Sequence, residues 1–363
     1  MAIQPAPKAK PRVLIDGIFF HIGTGIGSVW RALFEELASR ALAFDLIVIS
    51  YFSAAPIIPA AMYLELPFPG GGGYAPNQLE LLCEQLGIDL FISTYYSFPE
   101  KTPSLLLVHD CIPEVFNYDT EVNLQWRQRR AAIERASSFL TVSNHTTFDL
   151  IHFYPSAKAK PITPSRLGSH FQTLSAVQPH LAGIDLNKAF FVFISAFKNI
   201  EFLFEATELL HRQDGSTFQI VFTNVDASFL DEVNQSRPYL VATGRRFSEE
   251  ELKWLYVNSA ALIYPSVYEG FGLPVLDAIS CGGRVICGTN SSLPEASIGR
   301  AIAVEPMHAR NLAAAMREAI ADWNDQSPIE PKRLPSPEVV GWTKFTNDFL
   351  YATHLALDRC CSC

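Results

Sequence analysis

At 363 residues the chain is too long for one ordinary core, and two domains of roughly 150–180 residues are the natural reading. Apolar residues make up 48% and charged residues 18%, with 26 Phe; this excludes a disordered chain and suits aromatic-rich cores. The net charge of −9 argues against nucleic acid as the main partner, and no apolar run reaches the ~18–20 residues of a membrane span.

The N-terminal MAIQPAPKAKPR is polar and Pro-rich with no apolar core behind it, so a frayed tail on a cytosolic protein is expected. The first strand is predicted at Arg12 to Asp16, followed by a glycine-rich turn, Gly23 to Gly27, and a helix in which Val29, Trp30, Leu33, Phe34 and Leu37 recur on one face. Further strands are predicted at Leu46 to Ile49, Leu90 to Ser93, Leu105 to Val108 and Phe139 to Val142, with helices between most of them, including Glu121 to Ala136. Gly70 to Gly73 is a flexible loop. Residues 155–187 are rich in Pro, Ser, Lys and Gly and read as a linker. A second series follows, with strands predicted at Ala189 to Ile194, Phe218 to Phe222, Tyr239 to Val241, Ala261 to Tyr264 and Arg284 to Ile286. Its helices are predicted at Ile200 to His211, Glu249 to Val257, Pro274 to Cys281 and Leu312 to Trp323, and a last helix near Trp342 to Leu357. The pattern is α/β, two doubly wound domains in series: residues 1–175 with a returning helix at 338–363, and residues 176–337. In such sheets ligands bind beyond the carboxyl ends of the strands.

Of the seven cysteines, Cys83, Cys111, Cys281 and Cys287 read as small buried apolar residues. The terminal Cys360-Cys361-Ser362-Cys363 lacks the aliphatic residues of a prenylation box and reads as a tail with reactive thiols. No Asp-x-Asp doublet or His pair at metal spacing is present, and no metal or cofactor is expected.

The most specific stretch is Tyr264 to Asp277: a strand, a loop with Gly270 and Gly272, then a helix opened by Pro274. It exposes backbone N–H groups at a helix start, suited to an anion, with Glu269 placed to accept hydrogen bonds from sugar hydroxyls. These residues resemble glycosyltransferase family 4, the retaining enzymes of the GT-B fold, in which two Rossmann-like domains face each other across a cleft. The family pattern is Glu, seven residues, then Glu, with Gly-Phe-Gly-Leu-Pro after the first acid; here Glu269 and Asp277 hold the acidic positions and Gly270, Phe271, Gly272 and Leu273 the loop. The resemblance implies that the first acid holds the donor sugar and the second the ribose. Asp277 is one methylene shorter than the family's Glu, which puts the ribose contact in doubt.

The resemblance extends over almost the whole chain. Thr24-Gly25-Ile26-Gly27 is similar to the family's first glycine loop, which implies that Gly25 and Gly27 face the donor phosphates. His109-Asp110-Cys111-Ile112-Pro113 is similar to its His-Asp-x-Ile-Pro segment, which implies a contact of His109 with the donor sugar. Val142-Ser143-Asn144 resembles another strand end, where Ser143 is read as a helix cap. Ser195-Ala196-Phe197-Lys198 stands where relatives carry Gly-Arg and then Lys; the Arg is missing, and Lys198 remains as the candidate for phosphate neutralisation. Arg245 or Arg246 could supply the missing charge, or line the nucleobase loop. Asn290 to Glu295 resembles a segment near the donor, with Glu295 structural or a supporting carboxylate.

These features imply a metal-independent, retaining transfer of a hexose from a nucleoside-diphosphate sugar, UDP- or GDP-linked, to a hydroxyl acceptor, with the lean towards surface polysaccharide assembly. A binding or scaffold protein without turnover is the alternative, favoured by the missing Arg and by Asp277. Arg127, Arg129, Arg130 and Arg135 beside Trp126, with Lys158 and Lys160, read either as a surface for anionic membrane, giving a membrane-peripheral cytoplasmic protein, or as a solvated helix face. Oligomeric state is left open.

Overall fold

Val13, Leu14 and Ile15 are at most 1% exposed, so the first predicted strand runs through the interior rather than along a half-wet sheet. Strands covered by helices on both faces carry continuous apolar runs rather than alternation, and that is the pattern of both halves of this chain. The computed structural model describes residues 10–70, 73–119, 122–194, 199–305, 308–325 and 337–360. They divide into two compact units, Met1–Leu167 with Trp342–Cys363, and Gly168–Gly341.

Unit 1 contains, in chain order, β1 (Arg12–Asp16), α1 (Gly25–Leu37), β2 (Asp45–Ser50), β3 (Met62–Glu65), α2 (Pro76–Leu86), β4 (Leu90–Ser93), β5 (Ser104–Val108), α3 (Ile112–Val115), α4 (Leu124–Arg135), β6 (Ser138–Thr141), α5 (Asn144–Phe153) and β7 (Ile162–Pro164). The strands form one parallel sheet in the order β3-β2-β1-β4-β5-β6-β7. One core packs Leu14, Ile47, Ile49 and Phe91 against Leu79 and Cys83 of α2; another packs Leu106, Val108 and Phe139 against Ile133 and Leu150. Ser143 caps α5, its side chain accepting from the Thr146 N–H at 2.9 Å, as read from the sequence.

Unit 2 contains β8 (Phe191–Ile194), α6 (Ile200–Asp214), β9 (Phe218–Thr223), α7 (Ala227–Ser236), β10 (Leu240–Arg245), α8 (Glu249–Asn258), β11 (Ala261–Tyr264), α9 (Leu273–Ser280), β12 (Val285–Gly288), α10 (Leu293–Ser297), β13 (Ile302–Val304), α11 (Ala309–Asn324) and α12 (Pro337–Val340). Its parallel sheet runs β10-β9-β8-β11-β12-β13, around a core of Phe191, Phe193, Phe222, Ile263 and Met316. The last helix, α13 (Thr343–Cys360), belongs to unit 1, where Phe349 meets the Trp30 ring edge-on at 6.1 Å.

Two expectations are corrected. The expected domain limit at 175 lies inside unit 2, because residues 169–174 pack there: Phe171 lies 5.7 Å from the Tyr256 ring, and Lys253 Nζ donates to the carbonyls of Gln172 and Leu174. The expected linker at 155–187 is also shorter than read, since Ile162–Pro164 is a strand paired to β6. Cys83, Cys111 and Cys287 are buried and Cys281 partly so; burial pushes all four thiols up to about 12, so they are inert. Residues 1–9 and 361–363, the expected tails, lie outside the described residues. Among the described residues no helix is long and apolar enough to cross a membrane.

Candidate functional site

In each sheet the strand order reverses once, between β1 and β4 in unit 1 and between β8 and β11 in unit 2. The carboxyl ends at such a switch point are where open parallel sheets bind ligands. The Tyr264–Asp277 segment spans the end of β11, the loop after it and the first turns of α9, so its predicted residues stand at unit 2's switch point.

Glu269 is anchored in that loop. The Tyr264 hydroxyl donates to Glu269 Oε1 at 2.9 Å, and the Glu269 N–H donates to Ser291 Oγ at 3.0 Å. Ser292 Oγ lies 2.8 Å from the carbonyls of both Glu269 and Phe271, and Asn290 Nδ2 donates to the carbonyls of Ser266 and Val267. Asn290, Ser291 and Ser292 therefore brace the loop's main chain. Burial and the Glu269 charge hold the Tyr264 phenol far above its ordinary range, so it stays a donor. Gly272 caps α9 with φ +102°, and a Cβ there would come within 2.9 Å of Leu293 Cδ2; only glycine suits that backbone. Phe271 is buried, Leu273 partly so, and Pro274 lies in the first turn of α9.

Asp277 is held from a quarter the sequence did not signal. Ser169 donates to its carboxylate, while burial, opposed by that bond and by His170, raises its pKa to about 7. His170 Nε2 in turn lies 2.8 Å from Glu249 Oε2. Ser169 and His170 lie in what the sequence presents as a structureless linker.

Ser195 and Lys198 lie outside the described residues. Next to them Asn199 caps α6 in the left-handed conformation, φ +62°, and its Nδ2 is buried with no partner among the described residues. Arg245 is committed elsewhere: its guanidinium forks onto Glu251 at 3.0 and 2.7 Å and lies 4.4 Å over the Phe247 ring. Arg246 is exposed.

In unit 1, His109 ends β5 and is 8% exposed. Burial, then the nearby Arg129 charge, lowers its pKa to about 3, so the imidazole is neutral. Its Nε2 is buried with no partner among the described residues. Asp110 is structural, its Oδ1 accepting from the Ile112 N–H at 3.0 Å. Gly25 opens α1 with nothing within 4 Å of a hypothetical Cβ, while at Gly27 a Cβ would meet the Ile22 carbonyl oxygen at 2.2 Å; close packing explains Gly27. Sequence reasoning also missed Asp16, which is wholly buried at the end of β1 and accepts from Tyr51 at 2.9 Å and from Ser97. Its burial outweighs those bonds and raises its pKa to about 6.

Of the basic residues on and after α4, Arg127, Arg130, Arg135 and Lys158 are exposed, and only Arg129 is corrected. Arg129 is 1% exposed and points inward, bonding Glu114, the Tyr96 hydroxyl and the Asp110 carbonyl. Arg130 pairs with Glu134 at 3.1 Å, and Lys160 donates to the Glu134 carbonyl at 2.7 Å. Among the described residues no group of three His, Cys, Asp or Glu side chains comes together as a metal site.

Comparison with known proteins agrees with this geometry. Residues 188–322 match the family model of glycosyl transferases group 1. The chain is similar to O-antigen chain mannosyltransferase B of Escherichia coli, at 28% identity over 44% of this chain and 43% of that protein. It is also similar to the serotype-specific mannosyltransferase WbdA of Escherichia coli, at 25% identity over 72% of this chain and 33% of that one. The chain thus spans less than half the length of these relatives. Among solved structures, sucrose-phosphate synthase from Thermosynechococcus elongatus superposes with a TM-score of 0.65 at 15% identity, covering 95% of this chain and 99% of that one. HepE of Anabaena, solved with UDP and glucose, superposes with a TM-score of 0.62 at 15% identity, covering 96% and 99%. The chain has the GT-B fold, and residues 188–322 of its second unit are similar to the glycosyl transferases group 1.

Proposed function

We propose that the protein transfers a hexose from a nucleoside-diphosphate sugar to a hydroxyl acceptor, with retention at the anomeric carbon and without a metal ion. The observation that carries this reading is Glu269: a carboxylate at unit 2's switch point, aimed by Tyr264 and backed by a helix start that only Gly272 permits. Glu269 accepts from the donor sugar's hydroxyls. The leaving diphosphate is met by the N–H groups opening α9, fixed dipoles that need no reorganisation as the bond breaks, and by the charge of Lys198, which the resemblance assigns to the phosphates. The sugar's C1–O bond to phosphate breaks, the acceptor oxygen bonds C1 on the same face, and its proton passes to a phosphate oxygen. His109 offers Nε2 to a substrate hydroxyl as a neutral donor or acceptor. The relatives' names make mannosyl donors the first to try.

Thermal shift with GDP-mannose and UDP-glucose in EDTA tests donor binding, and NMR of the product tests the anomer. An inverted product ends the retaining reading, and activity that needs added Mg²⁺ ends the metal-independent one. A sugar-nucleotide-binding protein without turnover is the second reading, favoured by the shortened acid Asp277 and its engagement with Ser169. A donor shift with no transfer to any acceptor would establish it.

A further inference from the structure

The helical layer of unit 1 holds a cleft of about 540 Å³, lined among others by Glu114, Tyr118, Arg130, Glu134, Phe153 and Ser156. Its walls come from α3 and the turn after it, from the later half of α4, and from the chain leaving α5. α4 runs to the start of β6, and α5 to the start of β7 by way of residues 155–159, so those walls lie towards the amino ends of the two strands. The cleft is therefore no part of the carboxyl-end region in which sugar transfer is proposed. Its three charged lining residues are all paired: Glu114 with Arg129, and Arg130 with Glu134 at 3.1 Å. Phosphate and carboxylate ligands are bound by Arg and Lys forks that turn to them, and a basic ligand wants an unpaired acid, so neither is favoured here.

Glu114 has hydrogen-bonding capacity to spare. Its side chain is 10% exposed. Its Oε1 accepts from the Arg129 guanidinium and from the Tyr154 hydroxyl, whereas its Oε2 is buried with no partner among the described residues. A carboxylate oxygen withheld from water and from donors is disfavoured, so the cleft favours a ligand that brings an O–H or N–H to it. The rim carries an aromatic face. Asn117 follows the end of α3 in the left-handed conformation, φ +51°, and that turn lets the Tyr118 N–H donate to the Pro113 carbonyl at 2.8 Å. Tyr118 is thereby fixed in place yet 46% exposed, its ring 6.3 Å from that of Phe116 and 6.0 Å from that of Trp126. Pro113, Phe153, Tyr154 and Pro155 complete the apolar walls. Such walls with a few placed polar groups are the usual make-up of a small-molecule site. A cavity of ~150 Å³ admits one six-membered ring, so this cleft has room for about two or three.

We propose that this cleft is a carbohydrate site apart from the site of transfer, and that it holds a short stretch of neutral glycan. A sugar C–H face lies on Tyr118. A sugar hydroxyl donates to Glu114 Oε2, and Asn117, Glu134 and Ser156 take the hydroxyls that remain. A sugar answers both features at once, since it donates hydrogen bonds to a carboxylate and presents an apolar ring face to an aromatic, with no charge for the paired ions to meet. An alkyl chain would leave Glu114 Oε2 without a donor, and a lipid phosphate would meet no unpaired cation among the lining residues.

Binding is measurable with no donor nucleotide present, so it stands or falls apart from the sugar-transfer reading. The full chain, labelled with ²H and ¹⁵N, is titrated with α-1,3-mannobiose and followed by its amide resonances in transverse-relaxation-optimised NMR. The expected result is saturable shifts at Tyr118, Glu134 and Ser156. Ser156→Trp, which fills the cleft from its exposed side, should abolish them. Tyr118→Ala should weaken binding about tenfold, the scale of one lost ring contact, each variant first being shown to melt as the parent does. No shift at those amides, unchanged binding in both folded variants, or shifts there with phosphatidylglycerol bicelles and not with mannobiose would overturn the proposal. Sugar transfer by a protein whose cleft binds nothing would end this proposal and keep the transferase reading. Cleft binding with the expected variant pattern in a protein that turns over no donor would end that reading and leave the carbohydrate site standing.

Discussion

Tyr264 donates its hydroxyl to Glu269 Oε1 at 2.9 Å, joining the last residue of β11 to the acid in the loop it opens. Tyr264 is 2% exposed, so the ring is fixed by the core and passes that rigidity to the carboxylate. A hydrogen bond to a charged group contributes about 1.5–3 kcal/mol, which is on the order of 10–100-fold in rate when it acts through positioning. Tyr264→Phe is expected to lower kcat/KM of sugar transfer within that range, and Glu269→Gln to lower it further. Steady-state kinetics check both. A Tyr264→Phe enzyme with parental kcat/KM would show that the acid is aimed by other groups.

Gly272 gives a stability prediction at the same loop. An L-residue at φ +102° is strained by about 1–3 kcal/mol, and a Cβ there also presses on Leu293 Cδ2. Gly272→Ala should lower the melting temperature of the unit 2 transition by about 3–10 °C and weaken donor binding with it, read by calorimetry with and without GDP-mannose. By contrast Gly25→Ala, where a Cβ meets nothing, should melt as the parent does.

The interior strands were legible because a strand covered on both faces has to be apolar throughout: Leu90–Ser93 and Ala261–Tyr264 fall where the β-branched and aromatic runs put them. The three unread strands, Met62–Glu65, Ile162–Pro164 and Ile302–Val304, all lie at sheet edges and are half exposed. With one neighbour and one wet side, Met62–Glu65 and Ile162–Pro164 carry no such run, and the apolar Ile302–Val304 is only three residues long. The Glu269 loop was legible for a local reason, since its glycines, proline and acid fall within one short segment. The Ser169 contact with Asp277 and the Tyr51 and Ser97 contacts with Asp16 were not, because each joins residues far apart in the chain by hydroxyls that any surface also carries. Arg129 shows the reverse failure: a basic helix face read as surface contains one guanidinium that the fold turns inward, to satisfy Glu114 and Tyr96.

His109 should not titrate in the working range. Burial and the Arg129 charge bring its pKa to about 3, so between pH 5 and 8 the ring stays neutral, and any activity limb near pH 6–7 belongs to another group. Long-range ¹H–¹⁵N NMR of the imidazole checks this directly: the expected pattern is one protonated and one bare nitrogen, unchanged from pH 5 to 8. His109→Phe should reduce transfer while leaving the shape of the pH profile intact. A titrating resonance near pH 6.5 assigned to His109 would contradict its burial.

Arg129 and Arg127 separate the structural from the surface cations on α4. Removing one partner of a buried ion pair costs about 3–5 kcal/mol, because the other charge is left without compensation. Arg129 is buried against Glu114, whereas Arg127 is exposed. Arg129→Ala is expected to destabilise unit 1 by that amount in urea denaturation, and Arg127→Ala by less than ~0.5 kcal/mol. Equal small effects would mean that the inward network contributes little to folding.

Asp277 makes stability fall as pH rises. Its carboxyl titrates near its ordinary 3.8 when the chain is unfolded and at about 7 in the folded protein, chiefly because burial disfavours the charge. Between those values the folded state binds more protons than the unfolded one, so the slope of unfolding free energy with pH is negative. The contribution is fully present below pH 4, is lost progressively up to about pH 7, and is flat above. Asp277→Asn keeps a partner for Ser169 and removes the titration. Its melting temperature relative to the parent should therefore climb from pH 4 to pH 7 and then level off. If Asp277 also holds the donor's ribose, the same substitution should weaken binding of GDP-mannose and of mannose-free GDP by the same factor, since the contact is to the nucleoside. A stability gain with no change in nucleotide affinity would assign Asp277 to the Ser169 contact alone and remove it from the donor site.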